Sequence, residues 1–138
     1  HTALHALSGV VWRDLAAQVT GGNMDAGEAR MDFELDSISV DFGKEVERRL
    51  NAVLVKGYPT EIVYLAREAA LPAPDLIRTK GNMIPGWVPE IRVVDIVGLD
   101  RQADGGTHVR STLEVGEVEV VKTESKGRAN KRMKIRIK

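Results

Sequence analysis

The sequence contains no cysteine, which excludes a disulfide framework, thiol catalysis and cysteine-ligated zinc or iron–sulfur centres. Aromatic residues are scarce: two Trp, two Tyr and two Phe. None of them falls in residues 122–138, so that stretch lacks stacking platforms for single-stranded nucleic acid. No uncharged apolar run approaches the roughly 18 residues of a membrane-spanning helix, and no membrane partner is expected. The phosphate-cradling spacings Gly-x-x-x-x-Gly-Lys-Ser/Thr and Gly-x-Gly-x-x-Gly are missing, as is a Gly-x-Ser-x-Gly nucleophile elbow. With no motif that names a reaction, no cofactor is expected. The absent cysteines favour a cytoplasmic protein over a secreted one.

What is present fits one domain. A chain of 138 residues, 43% of them hydrophobic, can bury roughly two-thirds of its unfolded surface around a single core. It opens on His1 rather than Met, which marks a trimmed, processed or tagged end. Net charge is zero, yet the charges are segregated. Residues 122–138 carry eight basic side chains against Glu124, and residues 25–47 carry eight acids against Arg30 and Lys44. A chain so divided can pair its own ends, pair with a copy or a protein partner, or offer its basic end to a polyanion.

Periodicity predicts an α+β fold, a largely antiparallel sheet with bulged strands packed on an N-terminal helix and two central helices. Leu4, Leu7, Val11 and Leu15 form a helical stripe over residues 3–18, with Thr2 as its N-cap. Residues 23–30 are polar and read as loop. From Met31 to Phe42 apolar residues alternate, but switch phase near Asp36-Ser37, the signature of a β-bulge. The same switch recurs at Gly116 within Leu113–Val120, which raises a duplicated unit. Helices are expected over 44–56 and 60–71, a Pro/Gly-rich connector over 71–89, and strands over 90–97, 107–122 and 131–138. The predicted core is Leu7, Val11, Leu15, Phe33, Leu35, Ile38, Val40, Leu50, Leu65, Val93, Val118 and Ile135. The helix followed by Phe33-Glu-Leu-Asp-Ser-Ile-Ser-Val-Asp-Phe42 resembles small prokaryotic accessory domains of the trypsin-co-occurring kind, a likeness that implies no activity.

The basic C-terminal hairpin segment, 122–138, is the foremost binding candidate. Lys126, Arg128, Lys131, Arg132, Lys134, Arg136 and Lys138 could hold phosphates without reading sequence. The competing expectation folds 113–122 against 131–138. It pairs Val120 with Met133 and Val118 with Ile135, and sets Glu119 opposite Lys134 and Glu117 opposite Arg136. A helix-turn-helix across 49–68 would read DNA with residues that carry no net positive charge. Trp12 and Trp87 read as core or connector anchors. His1 and His5 stand at i, i+4, but a zinc site wants a third ligand, so no metal is expected. Asp104, His108 and Ser111 read as a polar loop leading into a strand. The expected function is a non-catalytic binding or assembly module, a homo-oligomeric or structural subunit. The alternatives are nucleic-acid binding through the basic strand and a small hydrolase-like enzyme built around His108.

Overall fold

A computed structural model describes residues 1–73, 75–78 and 84–138. The fold is α+β, with two antiparallel sheets. The first sheet holds β1 (Val19–Asp25), β2 (Glu28–Phe33), β7 (Lys131–Ile137) and β6 (Val118–Ser125), in that spatial order. The second holds β3 (Thr60–Ala66), β4 (Glu90–Ile96) and β5 (Asp100–Ala103). The helices are α1 (Thr2–Leu15), α2 (Val40–Leu54) and, between β3 and β4, the four-residue α3 (Arg67–Ala70).

The main core lies where α1 and α2 meet the first sheet. Leu4, Leu7 and Val11 of α1 pack with Val46, Leu50 and Leu54 of α2 against Phe33, Val118, Val120, Met133 and Ile135. Phe33 and Leu50 are fully buried. Helix α2 also closes the open edge of the first sheet, since Asn51 exchanges two hydrogen bonds with the backbone of Val118 and Glu47 accepts from the Val120 N–H. Side chains thus occupy backbone groups that would otherwise invite another strand. A smaller cluster of Ala70, Leu76, Ile91 and Val93 lies against the second sheet.

Several expectations need correction. Residues 31–42 are not one bulged strand: β2 ends at Phe33 and α2 begins at Val40, with Ser39 Oγ accepting from Phe42 N–H. The phase switch at Asp36-Ser37 is the chain leaving the sheet for a helix cap. Val40 and Leu15 are therefore exposed, not core. The second switch is a 3₁₀ turn over Thr112–Val115, boxed by Ser111 and Glu114, so the two matching segments fold differently. Residues 60–66 form a strand rather than a helix, which removes the reading element of a helix-turn-helix. Residues 19–33 make a β-hairpin across the 23–30 stretch expected as loop, and 100–103 add a short strand between the expected strands 90–97 and 107–122. Trp87 is 82% exposed and so is not a buried anchor. Of the connector, residues 74 and 79–83 lie outside the described part.

The basic tail is woven into the first sheet, between β2 and β6. Its register is slipped by two residues from the expected one: Val120 faces Ile135 and Val118 faces Ile137. Glu119 consequently meets Arg136 at 2.7 Å and Glu117 meets Lys138 at 3.2 Å. Arg132 forks onto Asp32 at 2.8 and 3.0 Å, while Lys131 is buried and donates to Gly127 O. Arg128 is exposed in the turn between β6 and β7. Glu124 gathers Lys126, Lys122 and Lys134 within 3.2 Å.

Hydrogen bonds from Lys126, Lys122 and Lys134 hold the Glu124 carboxyl down at about 2, from an ordinary 4.5. A carboxylate with a depressed folded pKa contributes stability above its unfolded pKa and loses it as pH falls toward the folded value. Thermal melts between pH 4.5 and 2 should therefore show a fall in melting temperature that is smaller in a Glu124→Gln variant.

Candidate active site

Helix α1 lies close over the second sheet. At Gly9 an added Cβ would stand 3.0 Å from Cβ of Asp100, so glycine permits this approach at a local cost in helix propensity. One turn earlier on the same face is His5, and another turn earlier is His1. The ladder between β4 and β5 runs on past Ala103, with the Asp104 N–H donating to Arg92 O. The chain then turns through Gly105-Gly106, and Arg92 holds the turn by donating to the carbonyls of Asp104 and Gly106, both at 2.9 Å. His108 follows, and the segment is pinned beyond it by the Thr60 N–H bond to Arg110 O and the bridge between Pro59 and Ser111.

The result is a convergence of four side chains from two distant stretches. Nε2 of His108, His1 and His5 lie 2.8, 3.4 and 3.6 Å from Oδ2 of Asp104. One ligand atom from each residue falls within 4.8 Å of all the others. The three imidazole rings are 4.2 to 5.0 Å apart between centroids. Thr2 does not cap α1. Its hydroxyl oxygen accepts from Val109 N–H and stands 2.9 Å from Nδ1 of His108, fixing that ring from behind. Gly106 donates to Oδ2 of Asp104 at 3.1 Å, and a Cβ there would lie 2.3 Å from Cε1 of His1. A larger residue there would require the His1 ring to move. Burial pushes the Asp104 carboxyl up, but the hydrogen bond from His108, the neighbouring His5 ring and the Gly106 N–H outweigh it. It stays below the ordinary carboxylate range.

Three imidazole nitrogens and one carboxylate oxygen suit zinc or another borderline first-row cation. His1 and His5 were already visible at helical spacing; the missing partners are Asp104 and His108, a hundred residues later, which sequence alone placed in a polar loop. Ser111 does not join them and serves as the cap of the 3₁₀ turn. The expected absence of a metal is thus set against a convergent donor set.

Beside the cluster lies a cavity of about 390 Å³, lined by His1, His5, Asp104 and Gln102 together with Leu4, Val19, Met24 and Met31. Gln102 donates its amide to Oδ2 of Asp100 at 2.9 Å. That leaves its carbonyl oxygen as an acceptor for a substrate donor.

Residues 91–138, which include Asp104 and His108, match the family described as the threonyl and alanyl tRNA synthetase second additional domain. The chain is 36% identical over 138 residues, 100% of its length, to an alanyl-tRNA editing protein, AlaX-M, of Saccharolobus solfataricus. It is 31% identical over 133 residues, 96% of its length, to the AlaX-M of Methanosarcina barkeri. It is also 32% identical over 127 residues to an alanine–tRNA ligase of Methanococcus maripaludis, where it covers 90% of this chain and 14% of the ligase. The chain spans 57% and 55% of the length of the two editing proteins. These likenesses overturn the expectation of a non-catalytic assembly module and of a structural, oligomeric role. The proteins that it resembles along its length are named for reactions on tRNA. They agree with the nucleic-acid class of partner and not with the accessory-domain resemblance. Among the described residues no helix is long and apolar enough to cross a membrane.

Proposed function

We propose that the chain is a hydrolytic editing domain that removes a wrong amino acid from a tRNA that accepts alanine. The observation that carries this reading is the convergence of His1, His5, Asp104 and His108 beside a cavity of small-molecule size. Likeness to editing proteins over the whole chain supports it. The reaction is hydrolysis of the aminoacyl ester on the terminal ribose. Water oxygen bonds to the carbonyl carbon, the ester C–O bond breaks, and the water proton ends on the ribose oxygen. Free amino acid and uncharged tRNA leave.

A divalent cation held by the four residues would supply Lewis acidity at the ester. Asp104 is the hub of the cluster, and Thr2 and Gly106 hold His108 and Asp104 in place. Gln102 offers its carbonyl oxygen to the ammonium group of the amino acid. Leu4, Val19, Met24 and Met31 form the apolar part of the cavity wall. Arg128, exposed at the turn between β6 and β7, is the cation of the tail that we assign to phosphates of the tRNA, with Lys126 beside it held on Glu124. Most of the others face acids of the chain itself. An alanine-sized activating pocket cannot exclude glycine by size and rejects serine only weakly, so these two are the errors that need a second sieve.

The test is release of labelled serine or glycine from a mischarged alanine-accepting tRNA by the 138-residue chain. Release well above the spontaneous rate, with correctly charged alanyl-tRNA spared, is expected. A rate no greater than the spontaneous one for both errors would remove the proposal.

A further inference from the structure

Behind the cluster is a buried charged group that the hydrolytic reading leaves unused. The Asp100 side chain is fully buried, and Arg78, 4% exposed, donates to its Oδ1. Arg78 also lies over the Trp12 ring, 5.3 Å from its centroid, and reaches Ser8 Oγ at 3.4 Å. The other carboxylate oxygen, Oδ2, accepts from Gln102 and faces Nδ1 of His5 at 3.6 Å. That nitrogen is buried and has no hydrogen-bond partner among the described residues. Asp100 is its nearest charged acceptor. The opposite ring nitrogen, Nε2, faces Asp104.

We infer that Asp100 is a positioning residue for His5, selecting the ring tautomer that carries its proton on Nδ1 and leaves the lone pair of Nε2 facing the cluster. The inference rests on the reading of the four residues as a cation site. A neutral imidazole has one donor and one acceptor nitrogen, and the partner of the first decides which way the second points. A guanidinium that stays charged holds Asp100 as an acceptor, and Gly9 brings α1 near enough for His5 to meet it. A buried ion pair is often no more stabilising than apolar packing of equal volume. Its position directly behind a candidate ligand is what gives this one a task. Outer partners of this kind usually set metal affinity within about 10–100-fold.

The probe is cobalt(II) alone, titrated into the chain and read by its visible absorption, with affinity taken from competition with a chelator. Asp100→Asn is expected to weaken binding by about 10–100-fold and to alter the spectrum. A variant carrying both Asp100→Asn and Arg78→Gln replaces the ion pair by neutral amides, so that no charge is left unpaired if the single variant fails to fold. Nitrogen-15 spectra of the unaltered protein give an independent reading: His5 should be protonated on Nδ1 and bare on Nε2. The opposite tautomer would overturn the inference whether or not the variants fold. So would folded variants with unchanged cobalt affinity and spectrum. An unaltered protein that takes up no cobalt would overturn the cation site itself, and this inference with it.

Discussion

His108→Ala is expected to lower kcat/KM for deacylation of a mischarged tRNA by about 10²–10⁴-fold, the range carried by a positioned group acting on charge or protons at the reacting centre. The imidazole is 1% exposed, 2.8 Å from Asp104 and backed by Thr2, so its removal takes one donor from the cluster and frees Asp104 from its closest contact. The backbone around it is pinned on both sides, by Arg92 at Gly106 and by the Thr60 bond at Arg110. The fold should therefore survive, and the loss should appear with an unchanged far-ultraviolet spectrum. Ser111→Ala is the informative contrast. Ser111 lies three residues on but caps the 3₁₀ turn, and its loss should cost about 1 kcal/mol of stability and leave the rate alone. If the two variants lost activity equally, or His108→Ala kept its full rate, the hydrolytic assignment would fail at this residue.

The contrast also shows what kind of information the sequence held. His1 and His5 share a helix face because four residues make about one turn, a local fact visible in any reading. Their partners arrive through the β4–β5 ladder and a glycine turn, and no periodicity reports which loop closes over which helix. β1, with Val-Thr-Gly-Gly-Asn-Met-Asp, hides as loop because an edge strand with two glycines has no alternation to show. Residues 60–66 mislead in the other direction. Ile62, Leu65 and Ala66 match helical spacing, yet pairing of Ile62, Val63 and Leu65 with Val94, Val93 and Ile91 decides the issue. The terminal strand was legible because Met133, Ile135 and Ile137 alternate strictly with cations. Its register was not, since a slip of two residues keeps every side chain on its proper face.

Arg78→Met is expected to cost about 3–5 kcal/mol at neutral pH, because it leaves Asp100 buried without its counter-charge. For a chain of this size the melting temperature should fall by about 10–15 °C. Arg78 lies in the Pro/Gly-rich stretch that sequence treats as a mere connector, yet it bridges α1, through Ser8 and Trp12, to β5 through Asp100. Burial alone would push the Asp100 carboxyl up; His5, Arg78 and Gln102 outweigh it, and the group sits below its ordinary range. In the variant burial gains the upper hand, and the folded pKa moves toward or above the unfolded value. The unaltered protein loses the contribution of Asp100 as pH falls through its depressed folded pKa, whereas the variant has little of it to lose. The gap between the two in urea midpoint should therefore be widest near neutrality and narrow below about pH 4. Replacing both partners, as Arg78→Met with Asp100→Leu, should recover most of the stability, because two apolar side chains leave no charge to desolvate. It should not recover cobalt affinity, since His5 would still lack the acceptor behind its ring. A double variant as unstable as the single one would mean that the loss came from packing around Arg78 rather than from an orphaned carboxylate.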